Sequence, residues 1–81
     1  MPADEAAVRR IKFAIDMYLA THPDAADAAE GIQQWWLPSS LIEEPPQLVE
    51  IALDELVAEG LLRRVAQEDD RMIYSSARRP A

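Results

Sequence analysis

Residues 46–65 read PQLVEIALDELVAEGLLRRV, and this stretch decides the fold. It opens with a proline, which suits the first turn of a helix because the amide hydrogen that proline lacks has no partner there. Apolar residues then recur at three- and four-residue spacing, the period of one helical face. Gly60 stands where a left-handed residue commonly ends a helix, and an apolar, basic run follows it. The stretch therefore predicts a helix over 46–59 that leads directly into a strand.

The C-terminal region predicts a β-hairpin. Strand-like runs occupy 61–66 and 71–76, and the polar segment 67–70 joins them. A hairpin alone is marginally stable in water, so we expect it to pack against the helices. Residues 78–81 are expected to form a frayed tail.

Two further helices are predicted upstream. Over 4–21 the apolar residues follow the helical period, and the proline at 23 ends the pattern. A second helix is predicted over 24–37, where Gly31 favours a bend or a late start. The segment 38–45 has prolines at both ends and predicts a loop.

Length and composition limit the class of protein. A chain of 81 residues, 49% of them hydrophobic, predicts one globular domain. The absence of cysteine excludes disulfides, thiol catalysis and cysteine zinc sites. The acidic start does not resemble a signal peptide, and no run of about eighteen apolar residues occurs that would span a membrane. We therefore expect a soluble, cytoplasmic protein.

Three helices followed by strand, turn and strand resemble the winged-helix domain over about residues 8–77. The resemblance is carried by VAEGLLRR at 57–64, which is similar to the end of that family's third helix, and by Tyr74 in the second strand. It implies a mainly α fold with a small β hairpin, in which three helices precede a two-stranded wing. Residues 22–37 also look like small uncharacterised bacterial proteins, a similarity that implies no activity.

In the DNA-binding branch of that family, the third helix enters the major groove and basic residues hold phosphates. Here residues 43–59 contain six acids and no base. Glu50 and Asp54 lie opposite the apolar stripe, on the face that would meet DNA, where they would repel phosphates. The eight-residue join before the third helix is also longer than a tight turn. The third helix is therefore predicted to be unsuited to reading DNA.

The C-terminal region has the opposite charge balance. Residues 61–81 carry five arginines against three acids, within a chain of net charge −7. Arg63, Arg64 and Arg71 could contact DNA phosphates, which would make the chain a transcriptional regulator. Alternatively, the wing arginines pair with acids of the third helix or keep the surface soluble.

Catalysis has little support in the sequence. His22 is the only histidine, and its place at a helix end is explained by the helix dipole. The serines at 39, 40, 75 and 76 lie in no nucleophile motif, and the carboxylates show no zinc or calcium spacing. An acyl-carrier protein would need Asp-Ser-Leu at the start of a helix, whereas Ser40 follows a serine and Pro45 and Pro46 interrupt the helix that would have to start at that serine. We expect no enzyme, metal, cofactor or small-molecule substrate.

The aromatic residues point instead to an interaction surface. Adjacent helical residues point about 100° apart, so one of Trp35 and Trp36 is expected inside and the other at the surface. Phe13 and Met17 form an apolar strip on the first helix, away from its main apolar line. Exposed aromatic area of this kind often marks an interface. Alternatively, both tryptophans and Phe13 complete the core around the hairpin.

The sequence therefore predicts a non-catalytic protein-interaction module, either a homodimer or a subunit of a larger bacterial assembly. Its apolar patch would comprise Trp35, Trp36, Phe13 and Met17. The acidic third helix, with Glu50 and Asp54, would be a second, charge-selective surface that steers basic partners. The alternative is the DNA-binding regulator with wing arginines on phosphates.

Overall fold

The structure, a computed structural model, describes the backbone of residues 2–77 and the side chains of residues 5–77. Its elements are α1 (Pro2–Thr21), β1 (Ala26–Asp27), α2 (Ala29–Gly31) continued by a π-helical segment (Ile32–Trp36), α3 (Ser39–Ile42), α4 (Pro46–Ala58), β2 (Leu62–Ala66) and β3 (Met72–Ser76). The chain is mainly helical with a small antiparallel sheet, as predicted. The predicted tail at 78–81 lies outside the described residues.

The sheet has three strands in the order β1–β3–β2, one more than predicted. The hairpin of β2 and β3 forms with Val65 opposite Ile73, and each strand begins one residue later than predicted. Asp70, at φ 66°, completes the turn between the two strands. The additional strand, β1, lies in the segment that was expected to begin the second helix, and Asp27 pairs there with Tyr74.

The predicted helix over 24–37 is wrong at its start, and the structure shows why. Asp27 accepts a hydrogen bond from the backbone N–H of Ala28 at 2.8 Å. Its carboxylate occupies the space where a Cβ at Gly31 would stand, so a side chain at position 31 would displace the carboxylate of Asp27. The chain before Ala29 therefore turns and pairs with β3, and the helix begins late.

The predicted loop over 38–45 contains the short helix α3. The N–H of Leu41 donates to the carbonyl of Pro38 at 2.8 Å, which closes its first turn. Leu41 is buried in the core, and this burial fixes a helical turn in a segment whose prolines and serines predict a loop.

The stretch 46–65 forms a helix followed by a strand, as predicted. Helix α4 begins at Pro46 and ends at Ala58, one residue before the predicted end. Gly60 adopts φ 81°, and the N–H of Leu61 reaches back to the carbonyl of Leu56 at 2.9 Å. Glycine at this position allows the sharp turn from α4 into β2.

All the elements share one core. Helices α1 and α4 pack along each other, and the sheet adds Leu62 and Tyr74 from one end. The most deeply buried large side chains come from α1, the π-helical segment and α4: Ile11, Ile15, Ile32, Val49 and Leu53. Within residues 2–77, no helix combines the length and apolar character needed to cross a membrane.

Candidate interaction surface

The two adjacent tryptophans have opposite environments, as their helical spacing predicts. Trp36 is 6% exposed and stacks on Tyr18, with ring centroids 4.9 Å apart. Trp35 is 70% exposed. The alternative in which both tryptophans complete the core is therefore wrong. The prediction that Trp36 belongs to the interface is therefore wrong as well, because its buried ring supports the fold and offers no surface to a partner.

The single histidine completes the same aromatic stack. The His22 ring lies 4.1 Å from the other face of Tyr18, nearly parallel to it. Its Nδ1 is 2.9 Å from the Thr21 hydroxyl and 3.1 Å from the carbonyl oxygen of Tyr18. These contacts all lie within the last turn of α1 and its end, an arrangement that explains His22 by local packing.

The apolar strip on α1 is exposed. Phe13 is 66% exposed and Met17, one turn further along α1, is 53% exposed. We call these two residues the α1 face. The alternative in which Phe13 belongs to the core is wrong, because the core side of α1 carries Ile11 and Ile15 instead.

Phe13 borders a solvent-open groove of about 560 Å³ between α1 and the α3 region. We call this the α1–α3 groove; it is lined by Arg9, Arg10, Phe13, Ala14, Pro38, Ser40, Leu41 and Glu44. Most of its surface is apolar. Trp35 lies three residues before Pro38, so its Cα is at most about 11 Å from the Cα of that groove residue. Of the predicted apolar residues, Phe13 lines the groove, whereas Met17 and Trp35 are exposed and are not among its lining residues.

Arg9 and Arg10 belong to this groove, and the sequence analysis did not select them. Neither forms an ion pair with any side chain of residues 5–77. A signal was present in the sequence, since Arg9 and Arg10 lie three or four residues before Phe13 and Ala14 and so share their side of α1. Their significance depends on the position of α3, which the sequence did not predict.

The outer face of α4 is less uniformly negative than its sequence implies. Lys12 on α1 donates to Glu55 at 3.0 Å and to Glu59 at 2.6 Å. Hydrogen bonds to Glu59 and Glu55 raise the pKa of Lys12 above its usual value. Glu50 is exposed and has no ion pair with the side chains that the structure describes. Beside it, Ile51 is 44% exposed, an apolar residue that the sequence analysis did not select.

Asp54 and Arg64, which were predicted for different surfaces, bind each other. The Arg64 Nη1 donates to the Asp54 carboxylate at 2.7 Å. Interaction with the Tyr74 hydroxyl, and then with Asp54, raises the pKa of Arg64. Arg64 of the wing thus forms an ion pair with the acidic helix, in agreement with the alternative prediction that wing arginines pair with acids of that helix.

The other two predicted phosphate contacts lie on the hairpin. Arg71 is near Asp69, with 3.9 Å between the guanidinium and a carboxylate oxygen. Arg63 is exposed and forms no ion pair with the described side chains. Of the three predicted arginines, Arg63 is thus the one that forms no ion pair within the part of the chain whose side chains are described. The arginines at 78 and 79 lie outside the described residues.

In the part of the chain whose side chains are described, no three histidine, cysteine, aspartate or glutamate residues group in a way that could hold a metal ion. Comparisons with protein-family models, with curated proteins and with solved structures give no match to this chain. The functional conclusion therefore depends on the surface chemistry of the chain itself.

Proposed function

We propose that this chain is a non-catalytic protein-interaction module of winged-helix architecture, and that its α1 face contacts a protein. The architecture is supported by the order of elements, in which helical regions precede the hairpin of β2 and β3. It is also supported by Gly60, which turns the chain from α4 directly into the hairpin. Strand β1 and helix α3 add to the three helices and two-stranded wing that the resemblance implies.

The observation that carries this function is the exposure of Phe13 beside an apolar groove. Full burial of a phenylalanine side chain contributes about 1.5–3 kcal/mol, and Phe13 realises only a part of this in the folded chain. Aromatic residues and methionine are enriched in interfaces, where they act as anchors in pockets of the partner. Phe13 and Met17, one turn apart, form such a pair of anchors.

The charge of the chain supports protein contact over DNA contact. A net charge of −7 repels phosphates, and Arg64 is held by Asp54 on the helix that would enter the groove of DNA. The same charge steers basic protein partners toward the molecule. DNA binding stays the alternative, with Arg63 as its best remaining contact.

Affinity capture with matched variants tests the proposed function. The wild-type chain is tethered and exposed to an extract of the source cells, beside Phe13→Ser/Met17→Ser. The control is Met72→Ser, which removes a similarly exposed apolar residue from the wing. We expect a protein that wild type and control retain and that the double variant loses. Equal retention by all three chains, with the same melting temperature, would contradict the proposal.

A further inference from the structure

We infer that the α1–α3 groove receives the outer face of α4 from a second copy of this chain, so that copies associate head to tail. The inference rests on the proposed function, because it assigns a partner to the side of the molecule that carries Phe13. It requires two complementary surfaces on one chain, and both lie within the described residues.

The groove combines an apolar floor with a positive wall. Phe13, Ala14 and Leu41 supply apolar surface, and Arg9 and Arg10 stand on the α1 side with no ion pair among the described side chains. Glu44 on the opposite side leaves a net charge of +1 around the groove. The groove is open to solvent, so it would leave part of a small molecule in water, whereas an apolar residue on one face of a helix can fill such a groove.

The outer face of α4 has the matching chemistry. Ile51 projects from it, Glu50 precedes Ile51 in the chain, and Asp54, about one turn later, binds Arg64 of the same chain. Glu50 is exposed and has no ion pair among the described side chains. An aliphatic anchor with Glu50 on the same helix face fits an apolar groove with Arg9 and Arg10 at its edge, because an ion pair at the rim can accompany burial of the anchor.

The α4 helix of a chain does not lie in the groove of the same chain. Lys12 faces α4 of the same chain, where it binds Glu55 and Glu59, and Arg10 lies about 160° further round α1. The groove and the outer face of α4 consist of different residues, and a contact between them that is not reciprocated leaves a groove and an α4 face uncovered at the ends, which produces a ring or an open chain of copies. Repulsion between two copies of charge −7 is screened beyond about 8 Å at about 0.15 M salt, where the local contacts decide.

Sedimentation equilibrium of two complementary variants tests this arrangement. Arg9→Glu/Arg10→Glu disables the groove and leaves the α4 face intact. Ile51→Asp disables the α4 face and leaves the groove intact. We expect the wild-type mean mass to rise with concentration beyond that of a dimer. Each variant alone should associate at least about tenfold more weakly, and their equimolar mixture should form a 1:1 pair that grows no further.

The mixture is the decisive sample for the contact between groove and α4 face, since that contact stays intact in one mixed pair while each variant alone lacks it, and growth of the wild type beyond a dimer shows that the contact is head to tail. The control, Arg63→Glu/Arg71→Glu, changes net charge by the same amount on the wing and should associate like wild type. A monomeric wild type, a groove variant that still associates, or a mixture that fails to pair would overturn the inference. The proposed function would survive any of these results if the capture experiment still showed a partner lost with Phe13→Ser/Met17→Ser.

Discussion

The guanidinium of Arg64 lies 2.7 Å from the carboxylate of Asp54, so the wing and the acidic helix α4 neutralise part of each other's charge. Both residues are exposed, and the contact is a surface ion pair of modest strength. Its main consequence concerns function. An arginine that binds a carboxylate of its own chain must exchange that partner before it can bind a phosphate, which weakens the DNA-binding alternative.

The first prediction follows from this ion pair. We expect no binding of double-stranded DNA at tens of micromolar protein in about 50 mM salt, the condition that favours phosphate contacts most. A gel shift combined with intrinsic tryptophan fluorescence checks it. Clear binding that higher salt abolishes and that Arg63→Ala weakens would instead establish the chain as a DNA-binding regulator.

The two tryptophans should differ sharply in their contribution to stability. Trp36→Ala removes a buried ring that stacks on Tyr18 and should lower the free energy of unfolding by about 3–5 kcal/mol. Trp35→Ala should change it by no more than about 0.5 kcal/mol, because its ring is in water. Urea unfolding measures both values. Equal losses would show that Trp35 also supports the core.

Acrylamide quenching gives an independent check of the same assignment. In Trp36→Phe the remaining fluorophore is the exposed Trp35, and quenching should be strong. In Trp35→Phe the remaining fluorophore is buried, and quenching should be several times weaker. The reverse order would contradict the placement of the two rings.

Gly31→Ala should destabilise the chain by about 1–3 kcal/mol, because the added Cβ would overlap the Asp27 carboxylate. The effect should depend on that carboxylate. In an Asp27→Ala background the overlap is gone, and alanine at 31 should be neutral or stabilising by up to about 1 kcal/mol, since it is the better helix former. A double-mutant cycle of unfolding free energies measures the difference. The same cost in both backgrounds would contradict the proposed cause.

Lys12 should stabilise the fold in a pH-dependent way. Its pKa is raised in the folded chain by Glu59 and Glu55, so its contribution is complete below about pH 10.5 and is lost as pH rises through the folded pKa. The gap in unfolding free energy between wild type and Lys12→Met should therefore shrink by about 0.5–1 kcal/mol between about pH 8 and the range above about pH 11. A gap that grows with pH would contradict this account.

Local signals in the sequence were sufficient for the main elements. Helix α4, its glycine turn and the hairpin were predictable, because the helical period and turn residues agree there. The start of the second helix was not predictable, because it depends on the position of the Asp27 carboxylate against Gly31 and on the pairing of β1 with β3. Helix α3 was missed since tertiary burial of Leu41 overrides a sequence typical of a loop.

The candidate site was predictable in part for a related reason. Helical spacing separated Phe13 and Met17 from the main apolar line of α1 and predicted that one of the two adjacent tryptophans is exposed, but it did not show which one, and burial of Phe13 stayed an alternative that the packing of the chain rules out. The groove beside Phe13 arises where α3 meets α1, 25 or more residues away in the chain, and no local pattern encodes that contact. The pairing of Arg64 with Asp54 was foreseen only as one of several alternatives, because its existence depends on how the wing packs.

Photo-crosslinking from position 13 tests the central claim most directly. The chain is produced in the source cells with p-benzoylphenylalanine in place of Phe13, and a second chain carries it in place of the equally apolar but wing-borne Met72. The account predicts a discrete protein adduct from position 13 on irradiation and none from position 72. Absence of any protein adduct from position 13, in a chain that is folded and abundant, would contradict the assignment of the α1 face as a protein contact surface.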